Sequence, residues 1–165
     1  PKVKSLVEHG AEITAILGAQ TAEKLILEDE FAELSSKLHL ATDDGSRGRK
    51  GFVTDVLADL LGEDVDYDLA LAIGPMVMMR SVADLTEGYN LKTIVSLNTL
   101  MVDGTGICGG CRVTVGGETK FACIDGPAFD GHQVDFAEQM QRQKFYQEHE
   151  EEIEGHKIGG EDCHV

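Results

Sequence analysis

Hydrophobic positions follow one rhythm up to about Asn98 and another beyond it. In the first stretch, helical and strand patterns alternate as in βαβ units. Residues 2–9 carry Val3, Leu6 and Val7 at helical spacing, and Gly10 stops that helix. EITAIL (residues 12–17) is β-branched and apolar, the character of a buried parallel strand. Thr21 is placed to cap a helix through Leu25, Ile26, Phe31 and Leu34, and residues 37–41 form a short strand opening into TDDGSRGRKG. Residues 52–61 predict an amphipathic helix with Thr54 and Asp55 near its start. LALAI (69–73) is a third strand, followed by Gly74 as N-cap and Pro75 in the first turn of a helix that carries Met76, Met79, Val82 and Leu85 and ends near Gly88. KTIVSL (92–97) is the fourth strand. Four strands with intervening helices predict an α/β fold with a doubly wound, mostly parallel sheet.

After Asn98 a glycine-rich segment leads into CRVTV, a Gly116-Gly117 turn and ETKFAC, which together predict a hairpin. Gly126-Pro127 marks another turn, and residues 134–154 read as a polar helix. Two domains are expected, residues 1–98 carrying the sheet and residues 99–165 forming a small lobe.

Composition narrows the function classes. A net charge of −16 disfavours nucleic acid and anionic membrane as partners. No apolar run approaches the length of a bilayer span, and no leader pattern opens the sequence. Four cysteines, three of them in a ligand pattern, fit a reducing cytoplasm better than a disulfide scaffold. The acidic run 148–154 reads as a solvated face, Cys163-His164 as a frayed terminus, and the Met76, Met78, Met79 group as packing. His132, near Asp130 and Asp135, reads as a loop residue and not a base.

The chemistry lies in VDGTGICGGCRVTVGGETKFAC. Asp103, Cys108, Cys111 and Cys123 are separated by four, two and eleven residues. This is the spacing of a plant-type [2Fe–2S] site with aspartate in the first position. Gly104, Gly106, Gly109 and Gly110 let the backbone wrap closely and present N–H groups to sulfur. Zinc is an alternative, but closed zinc sites usually draw on two ligand pairs, and only one Cys-x2-Cys knuckle is present. A Cys108–Cys111 disulfide would need a tight loop and an oxidising compartment. The spacing favours the iron–sulfur cluster, whose role is one-electron transfer.

Three segments would line the carboxyl edge of a doubly wound sheet, where ligands bind. They are Gly18, Ala19 and Gln20; then Thr42, Asp43, Asp44, Gly45 and Ser46; then Gly74, Pro75 and Met76. The third offers helix N–H groups to an anion, or is a plain strand–helix turn. Asp43 and Asp44 suit ribose hydroxyls or an Asx turn. Arg47, Arg49 and Lys50 are candidates for phosphate or simple solvated charges. No G-x-G-x-x-G occurs in the chain.

TDDGSRGRKGFVTDVL, AIGPMVMM, the cysteine loop and DGPAFDGHQVDFAEQM together resemble one family over essentially residues 3–152. It is the flavin- and [2Fe–2S]-containing electron-transfer subunit of the dihydroorotate dehydrogenase, sulfide dehydrogenase and NADH-dependent ferredoxin:NADP oxidoreductase group. The resemblance implies a ferredoxin-reductase-like architecture: an FAD-binding barrel, a five-stranded pyridine-nucleotide domain, and the cluster lobe last. This sequence then corresponds to the C-terminal part, without the barrel and without the first strand of the nucleotide sheet. That strand is central, so the strands on either side of it are expected to lack a shared neighbour. The implied cofactors are NAD(P)H, a [2Fe–2S] cluster on Asp103, Cys108, Cys111 and Cys123, and FAD held largely outside this sequence. The implied partners are a larger flavin and iron–sulfur oxidoreductase subunit and, through the complex, ferredoxin. Aspartate at the first ligand position resembles the ferredoxin:NADP oxidoreductase and sulfide dehydrogenase members more than the dihydroorotate-linked ones. No side-chain acid–base catalyst is expected.

Overall fold

The computed structural model describes residues 2–63 and 65–144, and the chain divides into two compact units between Tyr67 and Asp68. Each is built around its own three-stranded sheet.

In the first unit, α1 (Lys2–Glu8) ends at Gly10, whose φ of +84° lies in the left-handed region. The strands β1 (Thr14–Ala19), β2 (Lys37–Thr42) and β3 (Arg49–Lys50) are all parallel in the order β1-β2-β3. The register runs from Thr14 opposite Lys37 to Ala19 opposite Thr42. β1 thus starts two residues later than EITAIL predicts. The helix expected from Thr21 is broken into a short 3-10 turn (Ala22–Lys24) and α2 (Glu28–Leu34). Between them Leu27 takes φ +61° and Ile26 is 71% exposed, so apolar spacing there does not reflect a buried stripe. α3 (Val53–Gly62) forms as expected. The Asp55 carboxylate accepts the Phe52 N–H at 2.8 Å and holds the first turn. Val56 and Leu60, four residues apart on one face, are buried with Ala41 and pack against Ile16 and Tyr67. Burial of two such side chains contributes on the order of 3–6 kcal/mol. A Cβ on Gly18 would stand 2.2 Å from Val53 Cγ1, so the start of α3 can approach β1 only at a glycine.

The second unit holds β4 (Ala70–Ala72), α4 (Met76–Glu87), β5 (Thr93–Ser96), the hairpin β6 (Arg112–Val115) and β7 (Glu118–Phe121), β8 (Ala128–Asp130), and helical residues 136–144. The remainder of the helix expected to residue 154, the acidic run and Cys163-His164 lie outside the described residues. β4 and β5 are parallel, while β8, not foreseen from the pattern, pairs antiparallel with β5. β1 and β4 each have a single sheet neighbour among the described residues. Outside the hairpin, the described strands thus form two separate sheets instead of one doubly wound sheet.

Pro75, and not Gly74, occupies the N-cap of α4 (φ −57°, ψ 146°), so the helix starts one residue later than predicted, and the Pro75 carbonyl accepts the Met79 N–H at 3.0 Å. Met76 and Met79 are buried, as their packing role requires, alongside Val82, Ala83, Val95, Leu97, Phe129 and Phe136. No helix among the described residues is long and apolar enough to cross a membrane.

A buried hydroxyl chain crosses this core. Thr93 Oγ1 lies 2.6 Å from Thr86 Oγ1 and 3.0 Å from the Leu91 carbonyl. Thr86 Oγ1 reaches the Val82 carbonyl at 2.9 Å and His132 Nε2 at 3.1 Å. Both threonines are fully buried, so each lost partner leaves a polar atom without water. His132, in a 3-10 turn (Gly131–Gln133), is thereby an anchor of the β8 end against α4. Thr93→Val should lower stability by about 1–2 kcal/mol, whereas Thr93→Ser should retain most of it. Urea midpoints decide this: equal midpoints for the two variants would mean the chain of hydroxyls contributes nothing.

Candidate metal centre and nucleotide edge

Between β5 and β6 the chain has no regular element, and its shape is set from its two ends. At the entry the Leu97 N–H donates to the Pro127 carbonyl at 2.9 Å. At the exit the Ala122 N–H donates to the Cys111 carbonyl at 3.1 Å, continuing the hairpin ladder by one residue. In between, Gly104, Gly106 and Gly109 take φ of +72°, +78° and +71°, which side-chain-bearing residues rarely adopt.

The loop brings the predicted ligands together in pairs. Cys111 Sγ and Cys123 Sγ are 3.2 Å apart, with Cys111 buried and Cys123 partly so. All three cysteines are free, so the alternative Cys108–Cys111 disulfide is not formed. Cys123, chiefly through its backbone N–H, holds the Cys111 thiol below the usual thiol range. The Cys111 thiol in turn raises Cys123. The Asp103 carboxylate accepts the Thr105 N–H at 2.9 Å, and that bond, with the neighbouring Cys108 thiol, keeps it below the ordinary aspartate range. Cys108, exposed, has the Gly110 N–H 3.5 Å from its sulfur. Among the described residues no three Cys, His, Asp or Glu side chains converge as a single-ion site.

These residues fit an iron–sulfur group. The donor set is three thiols and one carboxylate, and Asp103 makes no ion pair among the described residues. Gly110 lies next to Cys108, with its N–H 3.5 Å from the sulfur. Ile124, which the spacing pattern does not single out, packs over Gly106. Its place beside Cys123 was the available signal.

The nucleotide segments divide between the units. In the first, Asp43 N–H donates to the Ala19 carbonyl (3.2 Å) and Asp44 N–H to the Gln20 carbonyl (3.3 Å). The segments 18–20 and 42–46 therefore form one edge at the carboxyl ends of β1 and β2. Thr42 is fully buried and its hydroxyl donates to the Arg47 carbonyl at 2.8 Å, fixing the turn. Asp44 accepts from Ser46 N–H (2.9 Å) and Oγ (2.6 Å), the Asx turn weighed above, and these bonds lower its pKa. Arg47 pairs with Glu28 at 2.5 Å and Arg49 with Asp59, two partners invisible in the loop's own sequence. In the second unit Gly74 and Pro75 lead into α4, and the buried Met76 side chain leaves only its backbone to face a ligand.

Parallel α/β sheets with open carboxyl edges, followed by a cysteine loop on a hairpin, define a ferredoxin-reductase-like chain with an iron–sulfur binding segment. Residues 98–135 match the iron–sulfur cluster binding domain of dihydroorotate dehydrogenase B. The chain is 49% identical over 150 residues to a Thermotoga maritima dihydroorotate dehydrogenase B electron transfer subunit homolog, covering 91% of this chain and 52% of the relative. It is 46% identical over 171 residues to an uncharacterised Clostridium beijerinckii protein, covering 99% and 58%. A solved structure of NADH-dependent reduced ferredoxin-NADP oxidoreductase, described in connection with flavin-based electron bifurcation, superposes with a TM-score of 0.82 at 46% identity, covering 92% of this chain and 54% of that one. The chain is thus similar to the electron transfer subunit of dihydroorotate dehydrogenase B and to NADH-dependent reduced ferredoxin-NADP oxidoreductase. It spans about half the length of the curated relatives it matches.

Gly106→Ala tests whether loop conformation governs the site. The new methyl meets the Ile124 side chain, nearest at its Cδ1 at 2.5 Å, which can move, but the φ of +78° costs on the order of 1–2 kcal/mol. Iron retained per chain after anaerobic reconstitution should fall, and Ile124→Ala in the same chain should not restore it. Full restoration would show that contact, not backbone, sets the requirement.

Proposed function

We propose that the chain is the nucleotide- and cluster-bearing part of an electron-transfer subunit that links NAD(P)H, through FAD, to a partner flavoprotein subunit. The pairing of Asp103 with Cys108 and of Cys111 with Cys123 carries the reading. Two pairs suit a two-iron cluster, in which each iron takes two protein ligands, better than a tetrahedral zinc that needs four convergent donors. When bound, the cluster supplies one-electron transfer. Asp103, Cys108, Cys111 and Cys123 would hold it. The Gly110 N–H beside Cys108 and the Thr105 N–H on Asp103 draw charge from the ligands and so bear on its potential.

Residues 1–98 would serve the nucleotide and residues 99–165 the cluster. Gly18, Ala19, Gln20, Thr42, Asp43, Asp44 and Gly45 would line the nucleotide at one edge. Gly74, Pro75 and Met76 would supply N–H groups of the α4 N-terminus. No side chain is assigned acid–base chemistry, since the cofactors carry the reaction and the protein positions them. The oxygen ligand favours the ferredoxin:NADP oxidoreductase and sulfide dehydrogenase type, with ferredoxin reached through the complex. The relatives' descriptions favour the dihydroorotate-linked type instead. A cytoplasmic site suits three free thiols.

Protein purified without air should contain about two irons and two acid-labile sulfides per chain, the content of the cluster that this ligand spacing specifies. Stoichiometric zinc without sulfide would overturn the cluster reading. Asp103→Cys should keep the iron content and change the electron paramagnetic resonance g-values and midpoint potential, because a hard oxygen ligand becomes a soft thiolate. An unchanged spectrum would remove Asp103 from the ligand set.

A further inference from the structure

The edge built by residues 18–22 and 42–50 carries both kinds of group that discriminate adenine dinucleotides. A carboxylate at such an edge hydrogen-bonds a ribose 2′-hydroxyl, while an arginine accommodates a 2′-phosphate. Here Asp43 and Asp44 stand in the same short loop as Arg47, Arg49 and Lys50. Selection then depends on which of them is available.

The arginines are occupied. Arg47 Nη2 lies 2.5 Å from Glu28 Oε1, reaching from the loop to the first turn of α2. Arg49 is ion-paired with Asp59 on α3 and donates to the Asp55 carbonyl at 3.0 Å. Lys24 donates to the Gln20 amide oxygen at 2.5 Å. Lys50 has no carboxylate partner among the described residues, but its stem lies against Gly45 and its ammonium offers no bidentate fork. Asp43 and Asp44 have no cationic partner among the described residues, and Asp44 is oriented by two bonds from Ser46. The loop is fixed against β1 by the Asp43 and Asp44 amides, and Ser46 Oγ also accepts the Ala22 N–H at 2.8 Å. The acids are thus presented on a braced turn, and the guanidinium groups are held to the helices behind it.

Resting on the nucleotide reading above, we infer that Glu28, by holding the Arg47 guanidinium, contributes to the selection of a free 2′-hydroxyl over a 2′-phosphate at this edge. Glu28 is a specificity-determining residue acting through Arg47. The Arg47 and Glu28 side chains are 55% and 31% exposed, so their pair is worth up to about 1 kcal/mol. That is a factor of about five in relative affinity. Repulsion between a 2′-phosphate and the two aspartates acts in the same direction.

The test uses the full chain and two small probes, adenosine 5′-monophosphate and adenosine 2′,5′-bisphosphate, titrated calorimetrically at low salt. The wild-type chain should bind the monophosphate more tightly. Glu28→Gln and Glu28→Ala, each with an unchanged circular dichroism spectrum, should shift the affinity ratio about fivefold towards the bisphosphate. Adding Arg47→Gln to either should return the ratio to that of wild type. A ratio unmoved by both Glu28 substitutions, or a wild-type preference for the bisphosphate, would overturn the inference and leave the nucleotide reading standing. Failure of all forms to bind either probe would overturn the nucleotide reading and this inference with it.

Discussion

The second unit depends on the register of one hairpin. Gly116 and Gly117, at φ +60° and +78°, form the tight turn that suits the strand twist and fix Arg112 opposite Phe121. One step further out, Ala122 N–H meets the Cys111 carbonyl, and Cys111 and Cys123 arrive side by side at the open end. Slipping by one residue would turn the fully buried Val113 outward and part the two sulfurs. The register is held from outside as well. Gly116 N–H donates to the Gln133 carbonyl, Asp135 N–H to the Thr114 carbonyl, and the buried Gln139 amide to the Arg112 carbonyl. A loop with almost no side chains to bury is therefore shaped by a hairpin that has them.

The first unit solves a different problem with similar means. Its polar edge is exposed, so it cannot be ordered by burial, and it is ordered by hydrogen bonds from backbone to backbone across the ends of β1 and β2. Thr42 is the exception that secures it: fully buried, it bonds both the Arg47 N–H and the Arg47 carbonyl from inside the turn. The electrostatics of the edge then come from α2 and α3, through Glu28 and Asp59. A loop rich in arginine is not by that fact an anion site, because exposed carboxylates nearby take the guanidinium groups first.

Much of this was legible in the sequence, and the reasons differ from residue to residue. The iron–sulfur binding segment was readable because a ligand spacing is local in the sequence. The helices α1, α3 and α4 were readable because their apolar faces repeat at helical period. The break at residues 25–27 was not, since Ile26 and Leu27 carry the right residue types but stand 71% and 52% exposed. β8 was missed because three residues, Ala128–Asp130, give no periodicity, and what makes them a strand is the waiting edge of β5. His132 read as a loop residue because its partner Thr86 lies 46 positions away in the sequence. The pairing of Arg47 with Glu28 across 19 residues was unreadable for the same reason. Contacts between distant segments are what a pattern of neighbours omits.

The proposed function also explains why two such unlike sites would occur in one chain. Hydride from a nicotinamide carries two electrons, and an iron–sulfur cluster of this kind accepts one. A nucleotide edge and a cluster loop therefore cannot exchange electrons directly, however well each is built. A flavin can, since it takes a hydride and gives up electrons singly, and under the proposed function it stands between them. The protein's task in these two units is then to hold each end rigidly: a braced turn at one, a registered hairpin at the other. Both ends show their bracing in hydrogen bonds: the Asp43 and Asp44 amides on the β1 end at one, the Ala122 amide on the Cys111 carbonyl at the other.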